Sequence, residues 1–382
     1  MLAAAVLVSV PPAGATTLRS LVILANWGPE RQPAAQLEEE FRAADAFYRR
    51  SSFGAFGLEA ELTPPIPGFV IPQACFSGGS EPGLGAVAAA AKSAAAALGY
   101  EIAAYDRFVY LFPEPVCGSG GLGIRNDVLL ASPEGVSSLG IVHELGHTLG
   151  LPHASGSACA PSAAPCRMLE YGDPFSPMGW GGIDFSAREK VELGWIADPP
   201  RVSVPGRYAV GTPQEPGDLP KALVVDAGPG ELWVEDVRTS QPRLVVRLLR
   251  ASDFRAGPLA HTIYLNSGAN TVAVPGVLRV RRSGNELGLE WIDRGRPTKP
   301  RLFAVPKATR RSTTVVVWNA AADAGSGVAG YRVWIDGRLV TTTEQTLATL
   351  PPLRRGRHLL TVSAVDRAGN VGLPSRARLV VR

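Results

Sequence analysis

His143-Glu144-Leu145-Gly146-His147-Thr148-Leu149-Gly150-Leu151-Pro152-His153 holds three of the five histidines in the chain, and its spacing decides how the surrounding fold is read. His143 and His147 are four residues apart, so on a helix they share one face, one turn apart. Glu144 is rotated off that pair but borders the same cleft. Gly150 can adopt a positive φ without a Cβ penalty, so it can end the helix and swing the chain back. His153 can then supply a third nitrogen. Three neutral imidazoles would hold Zn2+ with its fourth position open for water, which marks a catalytic rather than a structural site. The metal would lower the pKa of that water. Glu144, which is not a ligand, is the candidate general base. Two histidines four apart arise by chance in soluble helices. Here Gly150 and His153 also fall at their required offsets, in a histidine-poor chain.

Upstream, strands and helices alternate. The apolar run Leu21 to Ala25 reads as a buried strand within Leu18 to Ala25, and Gln36 to Arg50 has helical periodicity through Leu37, Phe41, Ala44, Phe47 and Tyr48. Gly57 to Leu62 is a short strand, Pro64 to Gly83 a loop, and Gly85 to Leu98 a helix that Gly99 can stop. Arg107 to Phe112 and Asp127 to Ala131 are further strands, with a flexible turn at Gly118 to Gly123 between them. The histidine helix starts either at Ser132-Pro133-Glu134 or, capped by Ser137, nearer the motif. This alternation indicates a mixed α/β layer.

After Trp195 the pattern becomes short strands with Pro and Gly turns, clearest at Ala222 to Asp226, Leu232 to Val237, Leu244 to Leu249 and Val277 to Arg281. Arg296 to Arg311, with six basic residues and no acid, reads as a proline-marked linker. Strands follow at Thr313 to Trp318, Tyr331 to Ile335, Leu359 to Val365 and Arg378 to Val381. His261, within residues 199 to 295, reads as an ordinary surface or core residue, and His358, at the start of one of the later strands, as a plain surface residue.

The resemblance to a known family rests on the zinc motif and its flanks. The extended motif resembles that of the metzincin metallopeptidases, whose members also carry a methionine turn beneath the zinc. Ser176-Pro177-Met178-Gly179-Trp180 is similar to that turn, so Met178 is expected to support the site without direct chemistry. Glu170-Tyr171-Gly172-Asp173-Pro174-Phe175, Lys190-Val191-Glu192-Leu193-Gly194-Trp195 and Phe47-Tyr48-Arg49-Arg50-Ser51-Ser52-Phe53-Gly54 resemble segments of the gametolysin-type branch. Those are secreted zinc peptidases acting on matrix or wall glycoproteins. The resemblance covers about residues 18 to 293. Several metzincin branches have a Tyr two residues after the turn Met. Here that position is Trp180, which leaves a tyrosine contribution to Tyr171. Asp173 is a further candidate to support the site. Ser326-Gly327-Val328-Ala329-Gly330-Tyr331 and Val365-Asp366-Arg367-Ala368-Gly369-Asn370 resemble fibronectin type III or immunoglobulin-like modules.

The expected organisation is multidomain, with an α/β metzincin-like catalytic domain followed by β-sandwich-like domains. In this expectation a signal peptide spans 1-17, the catalytic domain 18-198, a β-sandwich-like domain 199-295 and a fibronectin type III or Ig-like domain 296-382. The apolar run Met1 to Val10 with Ala13-Gly14-Ala15 is signal-like. It is too short to span a bilayer, and no stretch of eighteen apolar residues occurs elsewhere in the sequence. Cys75, Cys117, Cys159 and Cys166 make an even count, which in a secreted chain suggests two disulfides. Sequence order favours Cys75 with Cys117 and Cys159 with Cys166, among three possible pairings.

Charge is uneven. Residues 296 to 382 carry fifteen Lys and Arg against four Asp and Glu, an excess of +11, while the whole chain is +4. An anionic cell-surface or wall polymer is therefore a candidate partner beside the peptide substrate. No nucleic-acid motif accompanies the charge. The expected function is that of a secreted zinc endopeptidase. The rival is a catalytically inactive metzincin-fold adhesion protein, against which the intact Glu144 argues.

Overall fold

The computed structural model describes residues 15–72, 80–116, 120–156, 169–203, 205–228, 230–238, 240, 242–249, 262–304 and 314–382. The four cysteines, His261 and the apolar run before Ala15 lie outside them. The chain is multidomain and mostly β-sheet, with several separate sheets. None of the described helices is long and apolar enough to cross a membrane.

The first unit comprises β1 (Thr16–Leu24), α1 (Ala34–Ser51), β2 (Phe56–Leu62), α2 (Ser80–Ala97), β3 (Arg107–Phe112), β4 (Gly121–Ile124), β5 (Asp127–Ala131), α3 (Ser138–Thr148) and α4 (Ala187–Glu192). Its sheet runs β2-β1-β3-β5-β4, parallel throughout except for β4, which pairs antiparallel with β5 at the edge. Both faces are covered, which explains the unbroken apolar runs. On β1, Val22 and Leu24 point into a core with α1 and α3, while Leu21 and Ile23 point into a second core against α2.

Two expectations need correction here. The helix expected from Gly85 begins at Ser80, inside the expected loop. Pro82 falls in its first turn, where a missing N–H costs no hydrogen bond. The flexible turn at Gly118 to Gly123 is, from Gly121 onward, strand β4. The choice of helix start falls to Ser137, whose Oγ accepts the Gly140 N–H at 3.3 Å.

The second unit has β6 (Arg201–Val202), β7 (Gly206–Ala209), β8 (Leu223–Ala227), β9 (Gly230–Val237), β10 (Arg243–Leu249), β11 (Thr262–Gly268), β12 (Thr271–Val274), β13 (Leu278–Ser283) and β14 (Glu286–Trp291). Its sheets, β11-β10-β9-β8-β6 and β12-β13-β14-β7, face each other across one core of Val and Leu side chains.

The third unit has β15 (Arg301–Ala304), β16 (Thr314–Asn319), β17 (Val328–Ile335), β18 (Arg338–Thr343), β19 (Leu347–Leu350), β20 (Gly356–Asp366) and β21 (Ser375–Val381). Its sheets are β15-β16-β19 and β18-β17-β20-β21, packed around Trp318. β15 lies within the stretch expected to be linker. Pro300 and Pro306 flank it, and an edge strand tolerates such neighbours. His358 sits on β20 and pairs with Asp336 at 2.6 Å, a surface role as expected.

Candidate metal centre

α3 ends in a glycine turn that builds half of the site. Gly150 has φ +95°. Its N–H donates to His147 O, and the Leu151 N–H donates to Gly146 O, which together make a Schellman cap. The turn presents the Leu151 carbonyl to His147 Nδ1 at 2.8 Å. It also returns the chain so that His153 stands beside the helix. His143 Nδ1 lies 2.8 Å from Pro177 O, and His153 Nδ1 lies 2.7 Å from Glu170 Oε1.

These contacts fix the tautomers of the two helical histidines. A carbonyl oxygen only accepts, so Nδ1 of His143 and of His147 must carry the proton. In the neutral rings, Nε2 is then a bare lone pair. The two Nε2 atoms stand 3.2 Å apart, and the three histidines offer ligand atoms all within 4.8 Å of one another. Burial lowers the pKa of His143 and takes that of His147 down to about 4, so neither ring carries a second proton at neutral pH. Facing lone pairs repel unless a cation lies between them. The donor set is nitrogen only and convergent, with an acceptor behind each ring, a chemistry that fits a divalent transition-metal ion such as zinc.

Glu144 lies one residue along the helix. Burial pushes its carboxyl up to about 7, and a backbone hydrogen bond from Gly123 works the other way. Its Oε2 is buried without a hydrogen-bond partner. A cation at the histidines would draw the carboxyl back toward ionisation. The space that Glu144 occupies is made by β4. A Cβ on Gly121 would lie 2.2 Å from Glu144 Oε1, and one on Gly123 would lie 2.0 Å from the Glu144 carbonyl oxygen.

Met178 is fully buried under α3. A Cβ on Gly146 would lie 2.5 Å from its Sδ, so the small residue inside the motif admits the methionine. Tyr171 lies tilted against the site, its ring centroid 4.2 Å from that of His153 and 5.8 Å from that of His143. Trp180 points outward and is 75% exposed. Asp173 is buried and touches no histidine. Its Oδ1 accepts the N–H groups of Phe175 and Ser176, and its Oδ2 meets Arg247 Nε at 2.7 Å.

The structure therefore brings His143, His147, His153, Glu144 and Met178 together. Sequence reasoning missed Gly121, Gly123, Glu170 and Arg247. The glycines leave a visible trace, alternating in Gly121-Leu122-Gly123-Ile124 so that both fall on one face of a strand. Glu170 and Arg247 leave none, because their partners lie 17 and 74 residues away.

No family model matches this chain, and neither does any curated protein. Among solved structures, the fibronectin(III)-like modules of CbhA from Clostridium thermocellum are similar at 14% identity and TM-score 0.19, over 22% of this chain and 95% of theirs. Catalytically inactive OgpA from Akkermansia muciniphila, in complex with an O-glycopeptide substrate, is similar at 10% identity and TM-score 0.26, over 96% of this chain and 93% of its own. The glycoside hydrolase domain of Endo-D from Streptococcus pneumoniae is similar at 19% identity and TM-score 0.21, over 25% and 17%. At these TM-scores the likenesses carry no argument about this chain.

Proposed function

We propose that the chain is a secreted zinc endopeptidase of metzincin type, hydrolysing peptide bonds of extracellular or cell-wall glycoproteins. The observation that carries this reading is the pair of bare Nε2 lone pairs, 3.2 Å apart on His143 and His147, with His153 closing the third side. His143, His147 and His153 would hold a zinc ion, which would supply Lewis acidity at the attacking water and the scissile carbonyl. Glu144 takes the proton of the attacking water on its partnerless Oε2 and returns it to the departing amine nitrogen. Pro177 O, Leu151 O and Glu170 hold the three rings in the tautomer that keeps Nε2 free to ligate. Tyr171 covers one side of the His153 ring, and exposed Trp180 offers the substrate an apolar surface.

The third unit holds the enzyme near an anionic polymer. Lys299, Arg301 and Arg376 line an open cleft of about 540 Å3 between β15 and β21. Among the described residues none of the three takes part in an ion pair.

Incubation of the purified protein with a mixed peptide library, with and without a zinc chelator, tests the reading. Chelator-sensitive cleavage is expected. Intact peptides after incubation with zinc-loaded protein would refute it and leave a metal-binding adhesion protein.

A further inference from the structure

Arg247 is a fully buried cation in the middle of β10, 2% exposed, and it reaches out of the second unit into the first. Its Nε lies 2.7 Å from Asp173 Oδ2, and its Nη1 lies 2.7 Å from Glu235 Oε2, with both carboxylates equally buried. Burial opposes the Arg247 charge, but Asp173 and Glu235 outweigh it and raise its pKa. An ion removed from water this completely is held only by well-placed partners.

We propose that Arg247 is a positioning residue for the metal centre, acting through Asp173 on the turn of residues 173 to 181. The inference rests on the metal reading of the three histidines. Asp173 is the knot of that turn. Its side chain accepts the N–H groups of Phe175 and Ser176 at the start, and its carbonyl accepts those of Trp180 and Gly181 at the end. The Asp173 N–H donates to Ala154 O, and the Ala154 N–H donates to Met178 O at 2.8 Å. The turn is thereby stitched to the residue that follows His153. Between its ends, Pro177 supplies the carbonyl that fixes His143. One residue thus touches the placement of two of the three ligands, its backbone tied to Ala154 beside His153 and its carboxylate ordering the start of the turn that carries Pro177.

That carboxylate needs a cation to stay in place. Alone in a dry site, an unpaired carboxylate would turn toward water, and the turn would lose its two side-chain acceptor bonds. Arginine suits the position better than lysine, because its planar fork reaches two carboxylates at once. The second unit is on this account part of the metal site and not an appendage to it.

The test uses full-length, metal-free protein titrated with Zn2+ under chelator competition and with Co2+ followed by its visible spectrum. The variants are Arg247→Met, Arg247→Lys and Asp173→Asn. Arg282→Met serves as control, because the Arg282–Asp236 ion pair at 2.9 Å lies wholly within the second unit. Arg247→Met and Asp173→Asn are expected to weaken zinc binding about 10–100-fold, as supporting partners of metal ligands do, and to alter the cobalt spectrum. Arg247→Lys should recover part of both. Arg282→Met should lower stability and move neither. If Arg247→Met does not fold, Asp173→Asn carries the same expectation. Wild-type zinc affinity and cobalt spectrum in the folded variants would overturn this inference alone. No metal binding by the wild type would overturn the metal reading with it.

Discussion

Gly121 and Gly123 matter to the centre as much as the histidines do, because they decide whether α3 can lie against β4. Adding a methyl at Gly121 puts carbon 2.2 Å from the Glu144 carboxylate, so Glu144 must move. Gly121→Ala should therefore retain zinc and lose about 10²-fold in turnover, the cost of an ångström-scale misplacement. Glu144→Gln should also retain zinc and lose about 10²–10⁴-fold. Metal content and peptide cleavage measured on the same samples check both, and near-normal turnover in Glu144→Gln would sink its role as base. The ligands were legible in the sequence because their geometry is local: i and i+4 on one helix, then a glycine turn. Met178 was legible only through its resemblance to a known turn. Glu170 and Arg247 were not legible, since a contact between distant loops or units leaves no spacing behind.

Among the elements, α4 ties its own start to the methionine turn. Ser186 and Glu189 form a capping box, and Glu189 Oε1 accepts Ser176 Oγ at 2.7 Å. Burial, reinforced by the Asp173 charge, raises the Glu189 carboxyl from 4.5 to about 7 against its hydrogen bonds from Ser176 and Ser186. The folded chain thus binds this proton more tightly than the unfolded chain does. The stabilisation is fully present below about pH 4.5 and is lost as pH rises through about 7, at up to about 1.4 kcal/mol per pH unit within that window. Denaturant unfolding from pH 4.5 to 8 should show a steeper loss of stability for the wild type than for Glu189→Gln. Equal slopes would remove Glu189 as the cause. Strands buried on both faces, such as β1 and β3, were legible as apolar runs. β4 was not, because the glycines that admit Glu144 also read as a turn. β15 was not, because prolines bracket a strand only four residues long.

Across the whole molecule the units differ in what they owe each other. The second shares the buried Arg247–Asp173 pair with the first, and Lys190 of α4 donates to Pro213 O at 2.6 Å. The third meets the second through loops whose described residues bury hydrogen bonds instead of an ion pair: Asp293 accepts Ser326 N–H and Oγ–H, each at 2.8 Å, and Gly228 N–H donates to Gly325 O. Chain order showed that there were several units, but it held no sign of this difference in coupling. Removing residues 297 to 382 should preserve cleavage of a small peptide and reduce binding to an anionic polymer. The full-length protein's binding should also weaken with salt as exposed charge is screened. Equal polymer binding by both forms would rule out the anchoring role. The central claim is the three-histidine metal centre, and zinc titration of the metal-free chain, beside single His143→Ala, His147→Ala and His153→Ala variants, tests it most directly. The account predicts one zinc ion per wild-type chain and a large loss of affinity in each variant. A wild type that takes up no zinc, or variants that bind it as tightly as the wild type, would contradict it.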